Sequence, residues 1–512
     1  MKKYYHNNDI RRADIIAVEK YGVPSIVLME NAGTNAANAI LSLYPGAENI
    51  LIFAGAGNNG GDGFVVARRL CDAGKRVSVI TTLSDEKYKG DALINLSKLR
   101  SMGGSTVSII TSAGIDDINI HKFIAQSDVV IDALLGTGSQ GAPRKETARL
   151  IPMINKARVR VALDIPSGMD PESGLIQDTA VSADLTITFL ALKLGMTNYF
   201  ARKLCGRIEV VGIGVEPSLV LPKIDFIEGY DKSDALNLLP HIDRDIHKGD
   251  RGGVLICGGS MSYRGAPILS ALGALRSGAG LVVMAIPDFM VQMGSTLVPE
   301  AIVLPLKTEN GLVLANDAIT AITAWTSRCG SAVFGTGCGR DDSMRDILRF
   351  LWNGCSLPLL VDADGLFHLA QMSDELRTRD NTIITPHVGE AARLLGSSQQ
   401  SVAAERLSAV RSLSKHSEAA LLKGMGTLIA SGARVGEILD GSPALAVPGS
   451  GDVLSGAIGA FSASGLGSFD SAVVGAAIHA AAGFSIEKKH GLRGTFAREI
   501  ADEIRNELRE QL

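Results

Sequence analysis

Ala446-Val-Pro-Gly-Ser-Gly-Asp452-Val-Leu-Ser-Gly456 decides how the C-terminal half of this sequence is read. Residues 449–451 form a tight loop in this reading, and 452–461 begin a helix. The backbone N–H groups of such a loop converge at a helix N-terminus, where an anion is favoured. An aspartate at that place repels phosphate. Asp452 therefore reads either as a helix cap or as a charge with a task, such as taking a proton from a hydroxyl beside the phosphate.

Upstream of this loop, short apolar runs at 254–257, 281–286, 332–334, 357–361, 381–385 and 419–422 end in polar or glycine-rich residues. They predict a doubly wound α/β sheet with its ligands beyond the carboxyl ends of the strands. The notable ends are Gly335-Thr-Gly-Cys-Gly339, Asp362-Ala-Asp364, Thr385-Pro-His387 and Lys423-Gly-Met-Gly-Thr427. Thr385 with Pro386 and Glu390 also fits a plain helix start, and Lys423 fits a lysine reaching solvent. A lysine, a helix N-terminus and an aspartate together would hold a phosphoryl group and deprotonate an acceptor. The residues alone thus reach phosphoryl transfer to a small hydroxyl compound.

The first half repeats the pattern. Helical periodicity over 8–39 is broken at Gly22-Val-Pro24, and the strand 49–54 leads through Gly55-Ala-Gly-Asn-Asn-Gly-Gly-Asp-Gly63 into a helix at 64–70. Gly55, Gly57 and Gly60 satisfy G-x-G-x-x-G. No acid closes the next strand, at 76–80, to hold a ribose, so a dehydrogenase fits poorly. Asn58, Asn59, Gly60, Gly61 and Asp62 suit a hard cation or a polar ligand instead. Asp132, ahead of Leu134-Leu-Gly-Thr-Gly-Ser-Gln-Gly141, and Asp164, ahead of Ile165-Pro-Ser-Gly168, end two further strands. Each aspartate alone fits a turn cap. Together, Asp62, Asp132 and Asp164 are expected to point into one crevice. A strand at 183–189 is followed by Lys193, and the unit ends near Val215-Glu-Pro217, which sets expected domains at 1–220 and 225–512.

A chain of 512 residues is too long for one core. Its 46% hydrophobic content and 57 glycines against 17 prolines suit α/β units with many tight loops. A formal net charge of -4 carries no footprint for nucleic acid or an anionic membrane. Six scattered cysteines without a C-x-x-C pair indicate reduced thiols. No apolar run follows the basic start, and the apolar window 472–486, which contains His479, reads as a buried helix. The expectation is a cytoplasmic protein acting on small molecules, with no nucleic-acid or membrane partner.

Both halves resemble known families. The first is similar to the YjeF N-terminal family of NAD(P)H-hydrate epimerases through Leu28-Met-Glu-Asn-Ala-Gly33, Gly57 to Gly63, Asp132-Ala-Leu-Leu-Gly-Thr-Gly138 and Asp164-Ile-Pro-Ser-Gly168. The second resembles the ADP-dependent NAD(P)H-hydrate dehydratases of the ribokinase-like superfamily through His247-Lys-Gly249, Gly265-Ala266, Thr385-Pro-His387, Lys423-Gly424 and Gly449-Ser-Gly-Asp452. The resemblance implies two doubly wound domains, Rossmann-like and ribokinase-like. It implies interconversion of the R and S epimers of hydrated NADH and NADPH, then dehydration of the S form at the expense of ADP. It also implies K+ near Asn58, Asp132 and Ser167, and Mg2+ in the dehydratase domain. Hydrate contacts would be Asn58 to Asp62, then Gly136, Thr137, Gly138, Ser139, Gln140, Gly141 and Ala142, with Asp164. In the second domain they would be Ala266, Gly337, His387 and Asp452. ADP contacts would be Lys423, Gly424, Met425, Gly426 and Thr427, with Gly449, Ser450 and Gly451. Asp452 and Asp164 take the catalytic roles, and the chain is expected to be a homo-oligomer. The rivals are a ribokinase-like kinase fused to a binding domain, and a noncatalytic first half like those of RNA-decapping scaffolds and lipoprotein binders. Val447-Pro448 and Ser442 stand where relatives usually carry Thr or Ser with Gly, and Asn. Pro448 offers no N–H to a phosphate, which leaves the choice of ADP over ATP open. Phe189 is bulkier than the usual residue at that strand end.

Overall fold

The computed structural model describes residues 2–102, 107–223, 225–241, 245, 247, 251–372 and 379–511. Two compact units, Lys2–Ile227 and Glu228–Leu512, make up the chain. Lys248 and Gly249 of the His247 motif lie outside the described residues.

The first unit is built on seven parallel strands in the order Val107–Thr111, Arg76–Thr81, Asn49–Ala54, Val129–Ala133, Arg160–Leu163, Leu185–Phe189, Arg207–Val211. Their apolar runs are continuous because both faces are covered. Ile50, Ile52 and Ala54 enter one core, while Leu51 and Phe53 enter the other, as the two-residue period of a strand requires. The strand order runs outward in opposite directions from Asn49–Ala54 and Val129–Ala133, so the loops leaving these two strands part and leave a crevice. The helix after the first of them is Asn58–Asp72, six residues earlier than the expected start. Glycines read as loop are needed there for close packing: a Cβ on Gly60 would lie 2.0 Å from the Gly55 carbonyl oxygen. Helices Asn7–Glu19 and Ser25–Leu43 flank the expected break at Pro24. A short parallel pairing of Lys2–Tyr5 with Leu192–Lys193 sets Tyr5 beside Lys193.

The second unit carries seven parallel strands ordered Ile302–Leu306, Leu281–Pro287, Gly253–Cys257, Ser331–Phe334, Leu359–Val361, Thr382–Ile384, Ala419–Leu422. An antiparallel hairpin, Leu428–Ser431 and Arg434–Ile438, extends the sheet beyond the expected strands. Helices Ala266–Arg276 and Ser450–Ala463 cover one face, the latter close to its expected start. The helix Ser468–His490 is long and apolar enough to cross a membrane, yet 83% of its most apolar window is buried inside the protein, as a core helix would be.

Candidate active sites

At the switch point of the first unit lies a cavity of about 950 Å³, open to solvent. Asn58, Asn59, Asp62, Gly136, Thr137, Gly138, Ser139 and Asp164 line it as expected, with Phe189 and Leu190 supplying apolar wall. Gln140, Gly141 and Ala142 do not. The amide and hydroxyl of Ser139 both donate to the Gly136 carbonyl (3.0 and 2.8 Å), so the chain turns away and leaves Gln140 and Gly141 on the surface. Gly60 and Gly61 are also absent from the lining, because they pack against Gly55 and Met29.

Asp164 sits at φ 66°, a left-handed conformation that few non-glycine residues adopt. Its Oδ1 meets Lys193 Nζ at 2.7 Å, and its Oδ2 accepts the Thr137 N–H at 2.9 Å. The wholly buried Lys193 also donates to Thr188 Oγ1 (2.7 Å) and the Phe189 carbonyl (2.8 Å). A Cβ on Gly136 would stand 2.9 Å from Asp164 Oδ2, so glycine is the residue that lets this loop close on the carboxylate. Asn59 Nδ2 bridges the Leu135 and Leu163 carbonyls (2.9 and 3.1 Å).

Asp132 corrects the expected convergence of three acids: it is wholly buried and does not line the cavity. Its Oδ1 accepts from Ser167 Oγ at 2.6 Å and the Leu134 N–H at 3.1 Å, and its Oδ2 from the Ser167 N–H at 2.8 Å. Ser167 Oγ in turn accepts the Leu135 N–H at 2.9 Å. Asp132 and Ser167 thus tie two loops of the site together. Burial pushes the Asp132 pKa up to about 6 in spite of these bonds. A buried carboxylate with no cationic side chain beside it among the described residues, next to a serine oxygen, is a donor set that fits a hard cation. Asp62, in the second turn of its helix, is raised well above the usual carboxylate range by burial and then by Asp164 and Asp14, against the pull of Lys193.

In the second unit, the carboxyl strand ends bring the expected residues together. Lys423 Nζ lies 2.7 Å from Asp362 Oδ1, and Ser455 Oγ donates to Asp362 Oδ2 at 2.6 Å. The backbone of Ala363, at φ 51°, ψ -122°, is left-handed between Asp362 and Asp364. The Lys423 N–H donates to the Pro386 carbonyl (2.9 Å), which brings in the His387 segment. A Cβ on Gly337 would fall 2.9 Å from the Ala266 Cβ, and Ser270 of the same helix donates to the Asp452 carbonyl (2.9 Å).

Burial first, and then Asp362 and Asp364, push Asp452 up to about 7, with Lys423 opposing. Burial alone would pull Lys423 down. Asp362, Glu390 and Asp452 outweigh it, and its pKa is raised. His387 is both exposed and a helix cap: its Nδ1 accepts the Gly389 and Glu390 N–H groups (2.9 and 3.3 Å) and its own N–H donates to Glu390. Because Nδ1 accepts these two N–H groups, the ring proton is on Nε2; partial burial of the ring and then Lys423 lower its pKa. Among the described residues no group of three or more His, Cys, Asp or Glu is placed to hold a metal ion. Magnesium that arrives on phosphates keeps several waters and needs one or two carboxylates; Asp364 and Asp452 would be the candidates, since Lys423 and Ser455 occupy the two oxygens of Asp362.

The loop ahead of Asp452 is a type II turn. Pro448 and Gly449 are its central residues, Gly449 has φ 86° and ψ -8°, and the Ser450 N–H donates to the Val447 carbonyl at 3.3 Å. Proline pre-sets the first central position, whose N–H such a turn does not use. Ser450 Oγ and carbonyl both lie 3.1 Å from Nε2 of the buried His479. Ser442 Oγ donates to Glu487 (2.6 Å) and accepts the Ala444 N–H (3.0 Å). The long helix Ser468–His490 therefore anchors the loop at two points.

Residues 254–506 match the family described as NAD(P)H-hydrate dehydratase, and residues 25–195 match the YjeF-related protein N-terminus. A bifunctional NAD(P)H-hydrate repair enzyme of Thermanaerovibrio acidaminovorans is 38% identical over 97% of this chain and 96% of its own. The chain belongs to the bifunctional NAD(P)H-hydrate repair enzyme family. A member from Escherichia coli K12 is 34% identical over 97% of this chain and 92% of its own. The crystal structure of an ADP/ATP-dependent NAD(P)H-hydrate dehydratase from Bacillus subtilis is 22% identical and covers 56% of this chain and 98% of its own, with a TM-score of 0.47.

Several contributions to this family member's sites are not legible in the sequence. Arg406 is one: its guanidinium donates to the carbonyls of Leu422, Lys423 and Gly426 (3.3, 3.4 and 2.9 Å) and so shapes the Lys423 to Thr427 loop. Lys193, Asp362 and His479 stand out in the sequence only as a residue after a strand, a strand end and part of a buried helix, and their pairings with Asp164, Lys423 and Ser450 appear only in the fold. Each acts through a partner distant in sequence, which no local pattern announces.

Proposed function

We propose that the chain repairs hydrated NADH and NADPH, with the epimerase in residues 1–220 and the ADP-dependent dehydratase in 225–512. The observation that carries this reading is the placement of Asp452 beside the Lys423–Asp362 pair at the N-terminus of the helix Ser450–Ala463. That helix end and the Lys423 ammonium attract the phosphates of ADP, and Asp452, poised near neutrality, suits a general base.

In the dehydratase, Asp452 takes the proton of the substrate hydroxyl, which lies on the carbon next to the ring nitrogen. The oxygen attacks the β-phosphorus of ADP, and the bond to the α-phosphate breaks to release AMP. The ring nitrogen lone pair then expels phosphate, and a proton leaves the adjacent ring carbon to give the reduced nicotinamide. Ala266, Gly337 and His387 bound the hydrate, and the Lys423 to Thr427 loop bounds the nucleotide. Magnesium carried on ADP would supply charge neutralisation at the phosphates.

In the epimerase, water leaves and returns at the same carbon, with Asp164 as proton acceptor. Asp132 and Ser167, with Asn58, would hold K+, which supplies counter-charge to the buried carboxylate. The test is S hydrate with ADP. The expected result is one reduced nicotinamide and one AMP per ADP consumed, lost in Asp452→Asn. Normal turnover by Asp452→Asn would refute the assignment.

A further inference from the structure

Two carboxylates on the wall of the first cavity stand without a partner among the described residues. Asp14, on Asn7–Glu19, and Asp62 make no hydrogen bond or ion pair among the described residues. Asp164 differs: an ammonium and an amide N–H occupy its two oxygens. A carboxylate that accepts on both oxygens can take a proton from an incoming water but carries no O–H to give to a leaving group. Loss and return of water needs both functions, so the site needs a separate acid.

On the reading that this cavity epimerises hydrates, we propose that Asp14 is that acid and a catalytic residue. Asp14 gives its proton to the substrate hydroxyl as the carbon–oxygen bond breaks. Water departs, and the ring nitrogen lone pair forms a double bond to the carbon. Water then adds from the opposite face, its proton passes to Asp164, and the electron pair returns to nitrogen. The turnover leaves Asp14 ionised and Asp164 protonated, and exchange with solvent resets them. Asp14 is exposed to the cavity, whereas Asp62 is 8% exposed, which makes Asp14 the better placed of the two for that exchange.

The electrostatics agree. Although open to cavity solvent, Asp14 is crowded by the wall. That partial burial first, and Asp164 second, push it up to about 6 against Lys193. Asp62 is the third acid coupled to it. Arg11 and Glu19 on its own helix and Asp91, Arg144, Lys145 and Glu146 elsewhere on the wall complete the charges around the cavity.

The experiment incubates pure S hydrate with the full chain in the absence of ADP and measures the R epimer by chromatography. Asp14→Asn should slow this interconversion about 100-fold. Dehydration of S hydrate with ADP in the same preparation reports that the chain is folded. In the native chain the epimerisation rate should fall as pH rises above about 6. Asp14→Asn should lose that fall, and Asp14→Glu should keep it. A residue with only a structural role would change the rate and leave the shape of the profile alone. Native rates in Asp14→Asn, or an alkaline fall that survives in it, would overturn the proposal. Failure of the native chain itself to form R epimer would instead overturn the epimerase reading.

Discussion

Lys423 and Asp362 form an ion pair at 2.7 Å across the end of the strand Thr382–Ile384, which separates their own two strands in the second unit, and the charge of both falls on Asp452. Burial and Asp362 hold the Asp452 carboxyl near pH 7. A base must be ionised to act, so dehydration of S hydrate should rise with pH through about 7. Glu390 also titrates near 7, and variants separate the two. The pH–rate profile of Glu390→Gln should keep the rise, whereas Asp452→Asn should be about 10²–10⁴-fold slower and flat.

Gly136→Ala tests the close approach of its loop to Asp164. The added carbon would meet Asp164 Oδ2 at 2.9 Å, closer than real contacts allow, so the carboxylate or the loop must shift. Use of R hydrate should fall at least about tenfold, since small displacements of catalytic groups are costly, while S dehydration by the same chain stays normal. Progress curves on each pure epimer check this.

His479 makes stability depend on pH. Burial holds it at about 4 in the folded chain, against about 6.5 when unfolded. Between these values the unfolded state binds more protons, so stability falls as pH drops from about 6.5 to 4, by roughly 3 kcal/mol in all. Above 6.5 it contributes no slope. His479→Gln, which keeps one N–H donor for Ser450, should remove this part of the acid loss. Denaturant midpoints of the second unit across that range measure it.

The turn at Pro448 and Gly449 predicts two opposite sensitivities. Gly449 is left-handed, and a Cβ there would lie 2.3 Å from Leu269. Gly449→Ala should therefore raise the KM for ADP several-fold and lower stability. Pro448→Ala should do little beyond a loss of about 0.4–1 kcal/mol from a more flexible unfolded chain. Thermal melts and ADP titrations of the two variants distinguish them.

Much of this was legible in the sequence because strand ends and glycine loops are local signals. The runs at 49–54 and 419–422 are the strands Asn49–Ala54 and Ala419–Leu422, and Asp452 lies at the expected helix start. Pro448 reads in the sequence as a lost phosphate donor, yet Pro448-Gly449 is also a type II turn signature, and Gly449 at φ 86° and ψ -8° adopts that turn. Asp132 illustrates the limit. Its place at a strand end matched that of Asp164, yet the pleat and the Ser167 loop turn it inward. Arg406 and His479 were illegible for a different reason: each stabilises a loop by bonds to backbone carbonyls, which carry no sequence identity.

The most direct measurement supplies a mixture of R and S hydrates with excess ADP and follows reduced-nicotinamide absorbance to completion. If both units act as proposed, all of the hydrate is converted, with a fast phase for the S fraction and a slower one for R. A halt at the S fraction would contradict the epimerase assignment, and no absorbance change at all would contradict the account as a whole.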